Sequence, residues 1–294
     1  DGWRHASCAA LEILLRETAA PVRHGVSLIG MTASYYNGEN DARELVRLLT
    51  GAGYAVRCVF GCDMSPEDID ALAQAELNIV VHDELGLAAA KYIEQRCGTP
   101  YIAPLPPYGR AGTRRWLKAV SAALPPAHGE AAMAEIEAAE RRDFLRINDL
   151  KNTWGELRFD TALIRAPRSA AWGLAEALRT EWADVRHLAV ATQLRADAAA
   201  APIADERLTE TDTARAQELL AAMERGLLLG SSSEAVLADP RRVLYLPVAY
   251  PVVDRLHLSD QPFMGLCGAR CIEDALWNGS ILRCELAVRA EWRR

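Results

Sequence analysis

The chain has 294 residues, half of them hydrophobic, and a formal net charge of -7 with a pI near 5.5. That length accommodates two domains with sizeable cores. The acidic balance argues against a broad nucleic-acid surface, which needs clustered Lys and Arg, and no apolar run approaches the roughly 20 residues of a membrane helix. A small molecule or another protein is the expected partner. The opening Asp1-Gly2-Trp3-Arg4-His5 does not form a signal peptide, so a cytoplasmic protein is expected.

Asp1 to Thr18 reads as a helix without a core of its own. Val26-Ser27-Leu28-Ile29-Gly30 then opens a regular alternation. The predicted strands are Tyr54 to Phe60, Leu77 to Val81 and Tyr101 to Ala103; the helices are Asp41 to Gly51, capped by Asp41 or Asn40, then Ser65 to Ala75, Leu85 to Arg96 and Gly112 to Leu124. Short apolar strands between amphipathic helices describe a parallel sheet covered on both faces. Pro125-Pro126-Ala127-His128-Gly129 breaks the pattern, and an Ala/Glu/Arg helix from Glu130 to about Leu150 connects to a second unit.

That unit repeats the alternation. Strands are expected at Asp160 to Arg165, Val185 to Ala191, Gly226 to Gly230 and Val243 to Val248. Helices are expected at Ser169 to Trp182, at Thr211 to Glu224 with Thr209 or Thr211 as cap, and from Cys267 onward. Arg195 to Leu208 reads as a polar, alanine-rich loop, and Ser231-Ser232-Ser233-Glu234 as a helix N-cap signature. The fold class is α/β, two doubly wound Rossmann-like domains in tandem. The expected division is an N-terminal helix over 1–24, a first domain over 25–128, a connecting helix over 129–156 and a second domain over 157–294.

In such sheets ligands bind beyond the carboxyl ends of the strands. The loop after the first strand carries Tyr35, Tyr36, Asn37 and Gly38, without Gly-x-Gly-x-x-Gly or a phosphate loop, so no nucleotide site is expected. The third strand ends at His82-Asp83-Glu84, where crowded carboxyls beside an imidazole suit a proton donor; the position of Asp83 and Glu84 before Leu85 makes a helix cap the more natural role. Pro251 to Gly268, with His257, Met264 and Gly265, is either a shaped ligand loop or a rigid turn into the last helix. Seven cysteines are scattered and odd in number, which suits reduced thiols. No Cys-x-x-Cys pair occurs, leaving Cys58, Cys62 and Cys267 as metal candidates against a bland role as buried or surface thiols.

Several blocks together resemble component 1 of the nitrogenase family, which includes light-independent tetrapyrrole reductases and cofactor-assembly scaffolds. They are Val26 to Gly30, Glu44 to Tyr54, Ala75 to Val81, Tyr92 to Tyr101, Gly230 to Glu234 and Pro251 to Gly268, in an order and spacing that cover most of the chain. The resemblance implies a reductase subunit that pairs with a second component 1-type subunit and receives electrons from a separate ATP-dependent iron–sulfur protein. The chain departs from the family in three places. The family's first, cluster-bearing domain is absent or replaced by Asp1 to Pro21, so an iron–sulfur cluster is expected to be shared with a partner or missing. Asp83 stands where catalytic nitrogenase subunits carry a cysteine for their metal cofactor, and the histidine that completes that site has no counterpart. Gly265-Leu266-Cys267-Gly268 keeps the glycines of a family loop and lacks its tyrosine.

The resemblance therefore implies an organic substrate such as a tetrapyrrole, with Asp83 as catalytic proton donor. The substrate-binding set is then Tyr35, Tyr36, Asn37, His82, Glu84, His257, Met264 and Gly265. The rival expectation is a non-catalytic scaffold or ligand-binding subunit, and a third is a stand-alone binding protein with a cleft between its two domains.

Overall fold

Buried apolar runs become parallel strands throughout this chain. The computed structural model describes residues 2–16, 20–62, 64–192, 203–256 and 258–291, with side chains as far as residue 284. His257 and most of the Arg195 to Leu208 connection lie outside the described residues. Two units form: Asp1–Ala139 with Pro262–Leu266, and Glu140–Gln261 with Cys267–Arg294.

In the first unit β1 (Gly25–Ile29), β2 (Ala55–Phe60), β3 (Leu77–Val80) and β4 (Tyr101–Ile102) form one parallel sheet in the order β2-β1-β3-β4. Every residue of β1 and β3 is buried, as crossover helices on both faces require. Those helices are α2 (Gly38–Gly51), α3 (Asp83–Cys97) and α4 (Gly109–Ala123). The N-terminal helix α1 (Gly2–Leu14) joins this core: Leu11 and Leu15 pack with Ile29, Phe60, Leu72 and Ile93.

Three details differ from the sequence expectation. α2 begins at Gly38, with Asn37 in the left-handed region as its cap residue and no side-chain cap bond; Asp41 therefore does not cap and is buried inside the first turn. Pro66–Gln74 is a 3-10 helix, not an α-helix. Its buried Ile69 and Leu72 are three residues apart, the spacing that three residues per turn stacks on one face. Its start is as the sequence implies, since Ser65 N donates to Asp68 Oδ2 at 2.7 Å. α3 starts at Asp83, so His82 is the cap residue, and Asp83 and Glu84 occupy the first turn, where carboxylates favour the helix dipole.

The second unit holds β5 (Arg158–Ala166), β6 (Asp184–Thr192), β7 (Glu206–Thr209), β8 (Gly226–Gly230) and β9 (Val243–Pro247), parallel in the order β7-β6-β5-β8-β9. The long α5 (Gly129–Trp154) precedes β5. α6 (Arg168–Ala177) runs into a single π turn, Leu178–Trp182, and α7 (Thr213–Ala222), α8 (Ser232–Ala235) and α9 (Gly265–Glu291) follow. β7 corrects the loop expectation for the end of the Arg195 to Leu208 stretch. Its four residues bury only Leu208, too faint an alternation to read from sequence, and Leu188 N on β6 donates to Asp205 Oδ2 at 2.7 Å just before it. The cap residue of α7 is Asp212, not Thr209 or Thr211; its side chain makes no cap bond to the helix, and its Oδ2 instead accepts Thr209 N at 2.8 Å in the preceding turn. The capping box at Ser231 forms as read, with Ser231 N on Glu234 Oε2 at 2.9 Å. Both sheets are doubly wound. Among the described residues no helix is long and apolar enough to cross a membrane.

Candidate functional site

In the first unit the chain leaves β1 for β2 on one side while β3 lies on the other, so the loops after β1 and β3 flank the point where strand order reverses. Ligand crevices form at such points. Their close approach is set by two glycines. Gly30 has φ +85, and a Cβ there would stand 2.6 Å from the His82 carbonyl oxygen; a Cβ on Gly86 would stand 2.9 Å from Gly30 Cα. Only bare backbone lets the end of β1 meet the first turn of α3.

The two loops bring predicted residues together. Tyr35 OH donates to Glu84 Oε1 at 3.1 Å, and its ring meets that of His82 edge-on at 4.8 Å. Burial holds the His82 imidazole down at about 4 against the opposing charge of Asp83, so it is neutral near pH 7. Asn37 sits at φ 67, its Oδ1 accepting Asn40 Nδ2 at 2.8 Å. Tyr36 faces the ring of Phe263 at 5.9 Å. Asp83 is half-buried in the first turn of α3.

Met264 and Gly265 join this cluster through the return segment Pro262–Leu266. Phe263 N and Met264 N both donate to Asp41 Oδ1, at 2.5 and 2.8 Å. Met264 is fully buried and bridges to Tyr108, and Gly265 N donates to the Pro107 carbonyl at 2.8 Å. Gly265 has φ +73, and a Cβ there would lie 2.5 Å from Glu44 Cγ. Glu44 is itself buried and takes a two-pronged bond from Arg47, at 2.7 and 3.0 Å.

Sequence reasoning missed two residues here. Burial raises the Asp41 carboxyl to about 7, overcoming its two amide donors, with Glu44 adding repulsion. Burial also pushes the Tyr108 phenol well up, reinforced by Asp41, Glu84 and Tyr35. The signal for Asp41 was present but read as a helix cap; Tyr108, after Pro106-Pro107, carried none. The cluster thus presents phenols, a neutral imidazole and carboxyls, groups that hold and donate protons.

The metal candidates form no metal-holding group among the described residues. Cys58 and Cys62 are buried in the first unit, and burial raises the Cys58 thiol to about 12, the opposite of a metal-bound thiolate. Cys267 is on α9, assigned to the second unit. Among the described residues no group of three or more His, Cys, Asp or Glu is placed to hold a metal ion. The described residues therefore do not by themselves form a site that fits an iron–sulfur cluster. A separate cleft of about 620 Å³ in the second unit, beside β9 and α9, is lined by Leu244, Leu246, Leu282, Arg255 and Arg283 and includes none of the predicted site residues.

The sequence profile of the nitrogenase component 1 type oxidoreductases matches residues 1–279. A light-independent protochlorophyllide reductase subunit from a Picosynechococcus strain is 25% identical over 275 residues, covering 88% of this chain and 52% of its own length. The subunit of the same name from Gloeobacter violaceus is 26% identical over 291 residues, with the same coverages of 88% and 52%. The chain spans about half the length of the curated relatives it matches. A solved structure described as nitrogenase Cp1 at pH 6.5 superposes with a TM-score of 0.78 over 97% of this chain and 65% of that one at 16% identity, a likeness of fold.

Proposed function

Since the chain belongs to the nitrogenase component 1 type oxidoreductase family, we propose that it is one component 1-type subunit of a reductase that hydrogenates an unsaturated tetrapyrrole-class substrate. It works with a second subunit of the same type and takes electrons from a separate ATP-dependent iron–sulfur protein, in the cytoplasm. The observation that carries this reading is the proton-holding cluster at the ends of β1 and β3, where phenols, imidazole and carboxyls gather without a thiolate. The protochlorophyllide reductase relatives add the substrate class and the expectation of partner subunits.

In this reading the chain's own residues bind, orient and protonate. Tyr36, Asn37, Met264 and Gly265 form the substrate wall. His82 stays neutral and serves as a hydrogen-bond donor, Tyr35 fixes Glu84, and Asp83 on the first turn of α3 delivers the proton. Any iron–sulfur cluster of the assembly would supply electrons, and its thiolates would come from elsewhere in the assembly, since the described residues form no metal-holding group.

The test is the chain co-purified anaerobically with its component 1-type partner. Addition of protochlorophyllide should shift the tetrapyrrole absorption band, and D83N should keep that shift while lowering turnover by roughly a hundredfold or more. A complex that binds no tetrapyrrole, or D83N turning over normally, refutes the assignment. The second reading, a ligand-holding scaffold, draws on the apolar cleft with Arg255 and Arg283 in the second unit.

A further inference from the structure

The segment Pro262–Leu266 is buried in the first unit, and Asp41 makes two of the hydrogen bonds that hold it. Both amides, from Phe263 and Met264, converge on one carboxyl oxygen, Oδ1. These two bonds by themselves favour the ionised carboxylate, but the side chain is buried away from water, and the burial outweighs them. The segment is further held by the Gly265 amide on Pro107 and the bridge from Met264 to Tyr108.

The groups around this carboxyl do not favour a second negative charge. Glu44, one turn along α2, is buried beside it, and the cation engaged there, Arg47, is shared between Glu44 and Glu135, the latter at 2.9 Å. Tyr108, from the approach to α4, lies within electrostatic reach of Asp41, of Glu84 on α3 and of Tyr35 on the loop after β1. Arg110 is buried two residues beyond Tyr108, and His82, before α3, is neutral. Ionising Asp41 would place an anion in a region already holding Glu44 and Glu84.

We propose that Asp41 is a protonation-dependent pin: neutral, it clamps Phe263 to Gly265 against the loop after β1, and ionised, it releases them. As a wall of the substrate site the clamped segment rests on the function proposed above, whereas the pin stands on contacts within the first unit alone. It is a positioning residue. When the segment lifts, water reaches the carboxyl and its ordinary acidity returns. Release therefore becomes easier by up to about tenfold per pH unit between the free value and the clamped one, and levels off above.

Hydrogen–deuterium exchange on the full chain tests this at the Phe263 and Met264 amides. D41N presents the same acceptor oxygen with a neutral amide beside it, so it stays clamped at every pH. After correction for intrinsic exchange, wild type should lose protection relative to D41N by about a hundredfold from pH 5 to pH 7, then hold level. Equal protection of the two proteins at all pH values overturns the proposal. If D41N fails to fold, carbon-detected titration of Asp41 in the wild-type chain decides instead: a midpoint near neutrality supports the pin and one below pH 5 refutes it. Neither readout uses substrate, partner or cluster, so a failed pin is distinguishable from a failed reductase assignment.

Discussion

Two buried titratable side chains of the first unit respond to acid in opposite senses. Asp41 rises from 3.8 to about 7 in the folded chain, so its stabilising contribution is complete below about pH 4 and is lost as pH rises to about 7. That shift corresponds to about 4 kcal/mol. His82 falls from 6.5 to about 4: its contribution is intact above about pH 6.5 and is lost as pH falls toward 4, a span of about 3 kcal/mol. Between about pH 4 and 6.5 the two slopes largely cancel. D41N should unmask the histidine, with stability rising with pH over that interval, and H82N should unmask the carboxyl, with stability falling. Denaturant unfolding of the three proteins across that range checks both signs, and three parallel curves would sink the idea. Tyr35 is a smaller matter: Y35F removes the bond to Glu84 and should lower stability by about 1 kcal/mol in the same measurement.

At the level of elements, the crossing of β1 and α3 is the tightest constraint near the site. A methyl on Gly86 would meet Gly30 N and Cα and the Ile29 carbonyl, all at 2.9 Å and all backbone, so no side chain can swing away. G86A should therefore destabilise the first unit by roughly 2 to 4 kcal/mol, although alanine is the better helix former by about 1 kcal/mol. An unchanged urea midpoint for G86A would show that the two backbones can part without loss. The positions of the helices were readable from 3.6-residue periodicity and those of the strands from buried runs, but their ends were not. α2 starts three residues before the predicted point because Gly38 turns tightly under the Thr32 carbonyl, a contact that leaves no mark on local composition. β7 was hidden because one buried leucine in four residues makes no legible alternation.

For the whole molecule, the reductase and scaffold readings diverge on metal. Anaerobically prepared chain should carry little iron or sulfide alone and gain both on co-purification with a component 1-type partner; iron-free complex would favour the scaffold. Family membership and the tandem α/β architecture were legible in the sequence, because strand hydrophobicity, helix periodicity and the Ser231 capping box are interactions between near neighbours in the chain. The clustering of Tyr35, His82 and Glu84 was partly legible for a related reason: parallel strands deliver their following loops to one edge, so residues after β1 and β3 must meet. What tertiary structure alone decided is the joining of Asp41 to Phe263 and Met264, 222 and 223 residues further along, and the placing of Tyr108 beside them. The acidity of a carboxyl depends on the water and charge around it. For Asp41 those surroundings are set by a segment so distant in sequence that no local pattern could announce it.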